Sequence, residues 1–441
     1  MLKPLSAVPR RAALQTLGCR LNQYETNVIR NKLEEAGYRI VPFDSEADLA
    51  VINTCSVTNA ADAKSRNAIR RFTRVNPRAV TVVVGCYSQV GYKEITEIPG
   101  VDYVIGNNDK LNFLDYLDEE KPDRPVIIRD RIAREDFSVT YVGDAPFEQR
   151  ANLKVQDGCD FMCSFCIIPF TRGRARSRDF ANLLDEARSL AGRGVRELVL
   201  TGVNLGEYSN SGKGITEVTD ALGEIDGVAR IRISSIEPST IPEALLARMA
   251  VPEHPLLPFL HVPLQAGCDR TLARMRRKHG VKEVVEFMER AVALMPDLCI
   301  GTDLMVGFPG ETEEDFLKTC HTFIEQPFAY CHAFSFSERD GTPAARMSKQ
   351  VPVPERHRRS AHLRRLSSTK RYEFDERQIG RVAKVLFENP RDGFWPGYTE
   401  NYVRVAVPRV GEVNLANRLA EVRLLRSAAD YLEAEVVQLL A

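Results

Sequence analysis

Six of the ten cysteines of this chain fall into two sets of three. Cys159, Cys163 and Cys166 form a C-x3-C-x2-C loop, short enough to wrap one corner of a compact iron–sulfur cube. Cys19, Cys55 and Cys86 are far apart in sequence, yet each follows an apolar, strand-like run: Ala12 to Leu17, Leu49 to Ile52 and Val80 to Val84. Three thiolates bind three irons of a 4Fe–4S cluster and leave the fourth iron for an outside ligand. The residues alone leave two alternatives for the loop. One is zinc, although the loop offers three sulfurs and no nearby histidine where a structural zinc wants four closed ligands. The other is a set of buried structural thiols, which is also the expectation for Cys268, Cys299, Cys320 and Cys331, since these have no ligand spacing.

The elements that must position the cysteines are legible as alternating strands and helices. Over the first ~145 residues, short β-rich runs alternate with helical patterns, as in parallel α/β units. After Cys19, Asn22 reads as a helix cap with Glu25 at the capping-box position, Val28, Ile29 and Leu33 supply the apolar stripe, and Gly37 stops the helix. A second helix follows Cys55, from about Ala60 to Arg74. In an open parallel sheet ligands bind at the carboxyl ends of strands, so Cys19, Cys55 and Cys86 are expected to converge there. From about Phe147 to Arg371, strand candidates at Ala151 to Gln156, Glu197 to Thr201, Arg230 to Ser235, Phe259 to Val262, Cys299 to Val306 and Ala329 to Ser335 alternate with helices such as Phe180 to Gly192 and Val281 to Leu294. Right-handed crossovers of this kind close a full or partial α/β barrel with its function on the loops after the strands. Past Arg371, short alternating runs read as a small β-barrel, with Val403, Val405 and Val407 on one face. The expected domains are 1–145, 146–371 and 372–441 of an α/β protein.

Composition bounds the function class. At 441 residues the chain is long enough for about three cores. The formal charge is zero and the pI about 7.0, so a nucleic-acid partner must be held by local patches. Met1 to Leu14 lacks an apolar signal core, and no stretch reaches ~18 uncharged apolar residues. A cytoplasmic protein without a membrane span is expected, with cysteines that hold metal or fill cores rather than form disulfides. No acid–base pair of the usual kind stands out.

The C-x3-C-x2-C loop after the first strand of a barrel resembles the signature of the radical S-adenosylmethionine superfamily. With Thr16-Leu17-Gly18-Cys19, Asn53-Thr54-Cys55 and Gly85-Cys86, essentially the whole chain resembles its methylthiotransferase family. The resemblance implies two 4Fe–4S clusters, one on Cys159, Cys163 and Cys166 and a second, sulfur-supplying one on Cys19, Cys55 and Cys86. S-adenosylmethionine would chelate the open iron of the first, and one electron, from a donor of flavodoxin or ferredoxin type, would release a deoxyadenosyl radical. Thr201-Gly202-Val203-Asn204, Ser234-Ser235-Ile236-Glu237-Pro238 and Val262-Pro263-Leu264-Gln265-Ala266-Gly267 match further family segments and put Gly202, Asn204, Glu237 and Gln265 near S-adenosylmethionine. Ala266 stands where the family usually has serine. The terminal module resembles a TRAM domain, an RNA-binding β-barrel, most clearly over Gly397-Tyr398-Thr399-Glu400-Asn401-Tyr402.

The contexts of Cys19 and Cys55 resemble the branch acting on N6-threonylcarbamoyladenosine beside the tRNA anticodon, whose product carries a methylthio group on carbon 2 of the adenine. Isopentenyladenosine in tRNA, or a ribosomal-protein aspartate, are the alternative substrates, and a non-catalytic iron–sulfur or zinc RNA-binding protein is the alternative of another class. Arg66, Arg70 and Arg74 repeat at helical spacing as a cationic stripe for phosphates. Tyr402 and Arg404 mix an aromatic face with charge, as contacts to unpaired bases do. The basic run Arg356 to Arg371 reads equally as an RNA contact or a solvated linking helix.

Overall fold

The structure, a computed structural model, describes residues 9–118, 120–140 and 149–440. Its amino-terminal sheet contains β1 (Arg11–Thr16), β2 (Arg39–Val41), β3 (Leu49–Thr54), β4 (Val80–Gly85), β5 (Tyr103–Ile105) and β6 (Val126–Ile128), all parallel, in the order β2-β1-β3-β4-β5-β6. Both faces are covered, which explains why these strands read as apolar runs rather than alternations. Val83 packs with Ile69 and Phe72 on one side, and Val82 and Val84 pack with Ile29 and Leu33 on the other.

Helix α1 (Arg20–Glu35) begins earlier than the capping pattern predicts. Cys19 is its N-cap; Asn22 and Glu25 lie inside it, fully buried. Asn22 donates to the carbonyls of Leu17 (2.7 Å) and Thr54 (3.0 Å), and Glu25 accepts from cations of distant segments. These long-range partners outweigh the local capping bond that the sequence pattern offers. Helix α2 (Asn59–Val75) matches expectation, with the Thr58 hydroxyl accepting from the Ala61 amide.

The central unit is a partial barrel of parallel strands: β7 (Arg150–Lys154), β8 (Glu197–Thr201), β9 (Arg230–Ile233), β10 (Phe259–His261), β11 (Cys299–Val306) and β12 (Tyr330–Ser335). They form two sheets, β9-β8-β7 and β10-β11-β12, joined by a bridge between Ile231 and Leu256. Helices Phe180–Gly192 and Val281–Leu294 pack outside, and Leu198, Leu200, Ile231, Ile233 and Ile300 share their core. The carboxy-terminal unit is a closed barrel, β13 (Val382–Phe387), β14 (Phe394–Thr399), β15 (Arg404–Pro408), β16 (Leu419–Ala428) and β17 (Tyr431–Leu439), ordered β13-β14-β15-β17-β16. Val403, Val405 and Val407 fill it, and Trp395 joins them.

The fold is therefore mixed α/β, with a parallel sheet, a partial barrel and a small closed β-barrel. The expected boundary at 145/146 lies outside the described residues, and helix Val353–Glu376 runs across residue 371. Cys268, Cys299, Cys320 and Cys331 are all buried. No helix is long and apolar enough to cross a membrane among the described residues.

Candidate functional site

Strands β1, β3 and β4 are adjacent, and their carboxyl ends deliver Cys19, Cys55 and Cys86 to one edge of the sheet. Register fixes this: Thr16 pairs with Asn53 and Thr54 with Gly85, so Cys55 and Cys86 leave their strands level with each other. The glycines before the cysteines keep the approach close. Gly18 has φ +102°, and a Cβ there would stand 2.7 Å from Cys55 Cβ and 2.9 Å from its Sγ. The Cys55 thiol is buried, which pushes its pKa up to about 11, and Cys86 and Cys19 are near enough to push the same way. The Asn107 amide points at Cys86 Sγ, 3.6 Å away.

The second triad sits at the carboxyl end of β7. Burial pushes the Cys166 thiol up to about 12 and raises Cys159 and Cys163 as well; Cys159 feels both Cys166 and Cys163. Donors face the sulfurs: Phe161 N lies 3.3 Å from Cys159 Sγ, and Arg277 Nη1 3.4 Å from Cys163 Sγ. Buried thiols facing N–H groups suit sulfurs that become thiolates on binding metal. Among the described residues, the group whose ligand atoms all lie within 4.8 Å of one another is His261, Asp303 and His332, and neither cysteine triad is that tight. A single zinc ion needs its sulfurs closer; a cube of irons holds them wider apart. The donor sets thus fit clusters better than zinc.

The four residues expected near S-adenosylmethionine surround this triad unequally. Gln265, with φ +72°, and Cys166 line one cavity of about 180 Å³. Glu237 binds Arg277, the guanidinium that reaches Cys163; burial still raises its pKa, ahead of the opposing Arg277 charge. Asn204 is buried, and its Oδ1 accepts from Glu237 N (3.2 Å) and the Thr240 hydroxyl (3.1 Å), while its Nδ2 is turned to the Glu207 carboxylate. A Cβ on Gly202 would meet Leu205 at 2.8 Å and Gln156 Oε1 at 3.0 Å, so close packing within the protein accounts for that glycine.

The same 180 Å³ cavity is bounded by Val57 and Thr58, two and three residues after Cys55, and by Ile167, Ile168, Met305 and Phe334. Its walls are largely apolar, and they join the loop of one triad to the loop of the other. Behind them a buried ionic network fixes the two units together. Glu25 of α1 accepts from Lys110, from Lys154 of β7 (2.9 Å) and from both Arg172 nitrogens (3.0 and 3.1 Å). Asp157, two residues before Cys159, accepts from Lys154 (2.7 Å) and Arg172 (3.0 Å). Burial alone would raise the Glu25 pKa, but the Arg172, Lys110 and Lys154 charges hold it well below the usual carboxylate range. With Arg176 also on Asp157 (3.7 Å), four cations against two carboxylates leave an excess positive charge facing Cys86 and Cys19, whose sulfurs in turn raise the Arg172 pKa against burial. Sequence reasoning missed Arg172, Lys110, Lys154 and Asp157; Asp157 and Lys154 at least flank the C-x3-C-x2-C loop.

The residues expected to meet RNA divide into two groups. Arg66 donates to the Tyr87 hydroxyl (2.7 Å) and to Glu94 (3.1 Å), whereas Arg70 and Arg74 stay exposed on the same helix face. Tyr402 stacks on Tyr398 (centroids 4.8 Å) and packs on Phe259, and its hydroxyl accepts from Arg20 (3.1 Å). Arg404 is exposed nearby, and all line a second cavity of about 700 Å³ where the three units meet. In the basic helix, Arg356, Arg358 and Arg359 pair with Glu338, Glu313, Glu355 and Glu311, so much of its charge is consumed structurally.

Residues 11–106 match the family described as Uncharacterized protein family UPF0004, and residues 153–323 match the Radical SAM superfamily. The chain is 37% identical to the threonylcarbamoyladenosine tRNA methylthiotransferase MtaB of Bacillus subtilis, over 97% of this chain and 96% of that protein. It belongs to the radical S-adenosylmethionine methylthiotransferase family. It is thus an enzyme of the transferase class. It is also 33% identical to a tRNA-2-methylthio-N(6)-dimethylallyladenosine synthase of Cereibacter sphaeroides, over 97% of this chain and 98% of that one. Among solved structures, the radical S-adenosylmethionine methyltransferase TsrM of Kitasatospora setae matches with a TM-score of 0.55 at 16% identity, covering 76% of this chain and 77% of that one. That likeness bears on the fold alone.

Proposed function

We propose that this enzyme places a methylthio group on carbon 2 of the adenine of N6-threonylcarbamoyladenosine in tRNA. The observation that carries the reading is the apolar cavity that has Cys166 on one side and the segment after Cys55 on the other. A group-transfer enzyme that needs two clusters at one substrate needs such a shared space. The name of the Bacillus relative supports the threonylcarbamoyl substrate; that of the Cereibacter relative supports a second reading, isopentenyladenosine.

In this reading Cys159, Cys163 and Cys166 hold one 4Fe–4S cluster and Cys19, Cys55 and Cys86 the other. Bound there with S-adenosylmethionine, they supply hydrogen abstraction by a carbon-centred radical and a source of sulfur. The chain's own side chains do the rest. Arg277, held by Glu237, presents N–H to the Cys163 sulfur. Asn204, beside Glu237, and the side chain of Gln265 offer polar contacts to the cofactor, with Gly202 packing the loop behind them. Ile167, Ile168, Met305 and Phe334 keep water from the reacting centre. Arg70, Arg74 and Arg404 are the phosphate contacts, with Tyr402 beside them and Arg66 positioned by Tyr87. An electron donor of flavodoxin or ferredoxin type completes the system. Segments 1–145, 146–371 and 372–441 then supply sulfur, radical and RNA contact, the last as a TRAM-like module.

The test is deletion of the gene followed by mass spectrometry of tRNA nucleosides. Loss of the methylthio threonylcarbamoyl nucleoside, restored by the wild-type gene, is the expected result. Loss of the methylthio isopentenyl nucleoside instead would transfer the assignment to the second reading.

A further inference from the structure

The inner wall of the central barrel carries a side-chain group with no part in holding either cysteine triad. His261 of β10, Asp303 of β11 and His332 of β12 sit on three neighbouring strands. Asp303 Oδ1 lies 3.0 Å from His261 Nε2 and 3.3 Å from His332 Nδ1. A carboxylate only accepts, so both imidazoles present N–H to it. Burial works against ionisation of Asp303, but the hydrogen bonds from His261 and His332 outweigh it and hold its pKa below the usual range. The two rings stack with centroids 5.1 Å apart, and the Tyr330 hydroxyl lies 3.5 Å from the remaining nitrogen of His261. His261 is therefore closed off. His332 is not: its side chain is 58% exposed and lines the 700 Å³ cavity, and among the described residues its Nε2 has no hydrogen-bond partner.

Position gives this open nitrogen its meaning. Asp303 also lines the smaller cavity that contains Cys166 and Gln265, so it stands on the partition between the two spaces. In N6-threonylcarbamoyladenosine the reacting carbon 2 and the nitrogen that carries the acidic side chain share the Watson–Crick edge of the purine, one on each side of N1. A base with carbon 2 turned to the Cys166 cavity therefore carries its N6 substituent into the adjoining part of the barrel interior, past the partition at Asp303, where His332 is an open donor. Of the guanidiniums that line the large cavity, Arg232 is engaged with Glu197 and the Glu400 carbonyl, Arg371 with Asp375 and the Tyr402 carbonyl, and Arg20 with the Tyr402 hydroxyl, while Arg404, on the carboxy-terminal barrel rather than the central one, stays exposed and is assigned to phosphate above.

Resting on the threonylcarbamoyl reading above, we propose that His332, oriented by Asp303 and backed by His261, receives the carboxylate of the N6 substituent and so makes the enzyme prefer an acidic substituent to an uncharged one. The Asp303 bond fixes the ring so that Nε2–H points into the cavity. A second anion is then bound by the edge of the imidazole opposite Asp303.

The test uses anaerobically reconstituted full-length enzyme and two anticodon stem-loop RNAs, one with N6-threonylcarbamoyladenosine and one with its methyl ester. Wild type is expected to favour the acid over the ester about tenfold or more in kcat/KM, the size of a charge-assisted hydrogen bond. In His332→Gln that ratio should fall to near one, through loss on the acid rather than gain on the ester. The exposed position of residue 332 keeps folding out of the comparison, and iron content equal to wild type verifies it. A ratio unchanged in the variant overturns the proposal. So does a stoichiometric divalent ion, beyond the cluster iron, bound by wild type and lost in His332→Gln, which would make the group a metal site. Wild type that modifies neither RNA but does modify an isopentenyladenosine stem-loop overturns the substrate reading itself, a different result from either.

Discussion

Arg172 is the single residue through which the two cysteine-bearing units are most directly coupled. Fully buried, it donates to Glu25 and Asp157 and also to Asn22 Oδ1 at 2.6 Å. Removing one partner of a buried ionic group costs roughly 3–5 kcal/mol, because the remaining charges keep their desolvation penalty without compensation. Arg172→Met should lower unfolding stability by about that amount, measured by urea titration of the anaerobic protein. The sign with pH follows from Glu25. Its folded pKa lies below the ordinary value, so its stabilisation is complete above about pH 4.5 and lost as pH falls through the folded value. The deficit of the variant should accordingly be widest near neutrality and narrow in acid. A deficit that did not change with pH would mean that the charge of Arg172 is not what matters. None of this network was legible in the sequence, since Arg172 and Glu25 are 147 positions apart and Glu25 has the spacing of a local cap. The six cysteines were legible because ligand spacing and strand ends are local properties.

At the scale of elements, the strand ends decide whether three distant cysteines can converge. Gly18 and Gly85 have φ of +102° and +99°, a region where a side chain is strained. A Cβ on Gly18 would also collide with Cys55 Cβ at 2.7 Å, a contact that side-chain rotation does not relieve. Gly18→Ala should therefore displace Cys55, and iron content after reconstitution should fall from about eight to about four per chain, the loss of one 4Fe–4S cluster. Retention of about eight irons would show that the loop before Cys19 can yield. Helices Phe180–Gly192 and Val281–Leu294 matched the sequence reading residue for residue because an apolar stripe and clear stops, Gly194 after the first and Gly280 before the second, bound them. The strand over Arg230-Ile231-Arg232-Ile233 was legible within the candidate Arg230 to Ser235, but why its inward residues are arginines was not. They donate to the carbonyls of Lys384, Tyr398, Thr399 and Glu400 of the carboxy-terminal barrel, which closes the floor.

For the whole molecule, the question is what holds the amino-terminal sheet, with Cys19, Cys55 and Cys86, against the barrel that carries Cys159, Cys163 and Cys166. Besides the Arg172 network, a second fastening lies on the other side of the 180 Å³ cavity. Arg339, after β12, donates to Asp62 and Ser56 and reaches Asn59, all within the segment that follows Cys55. Burial raises the Asp62 pKa, while Arg339 and Ser56 pull it back, so this carboxylate depends on its partner to stay ionised. Arg339 does not touch either triad. Its loss should leave both sets of ligands intact while loosening the segment Val57–Thr58 that walls the cavity. Cleavage of S-adenosylmethionine needs the barrel alone, whereas methylthio transfer needs both units in register. Arg339→Ala should therefore keep iron content within error and deoxyadenosine release within about twofold, yet lower methylthiolated product about tenfold or more, the consequence of a misplacement of an ångström or so between reacting groups. Product and deoxyadenosine quantified in the same reaction decide it. Equal losses of both would mean that Arg339 supports the barrel itself, and no loss of either would mean that the Glu25–Arg172 network aligns the units unaided.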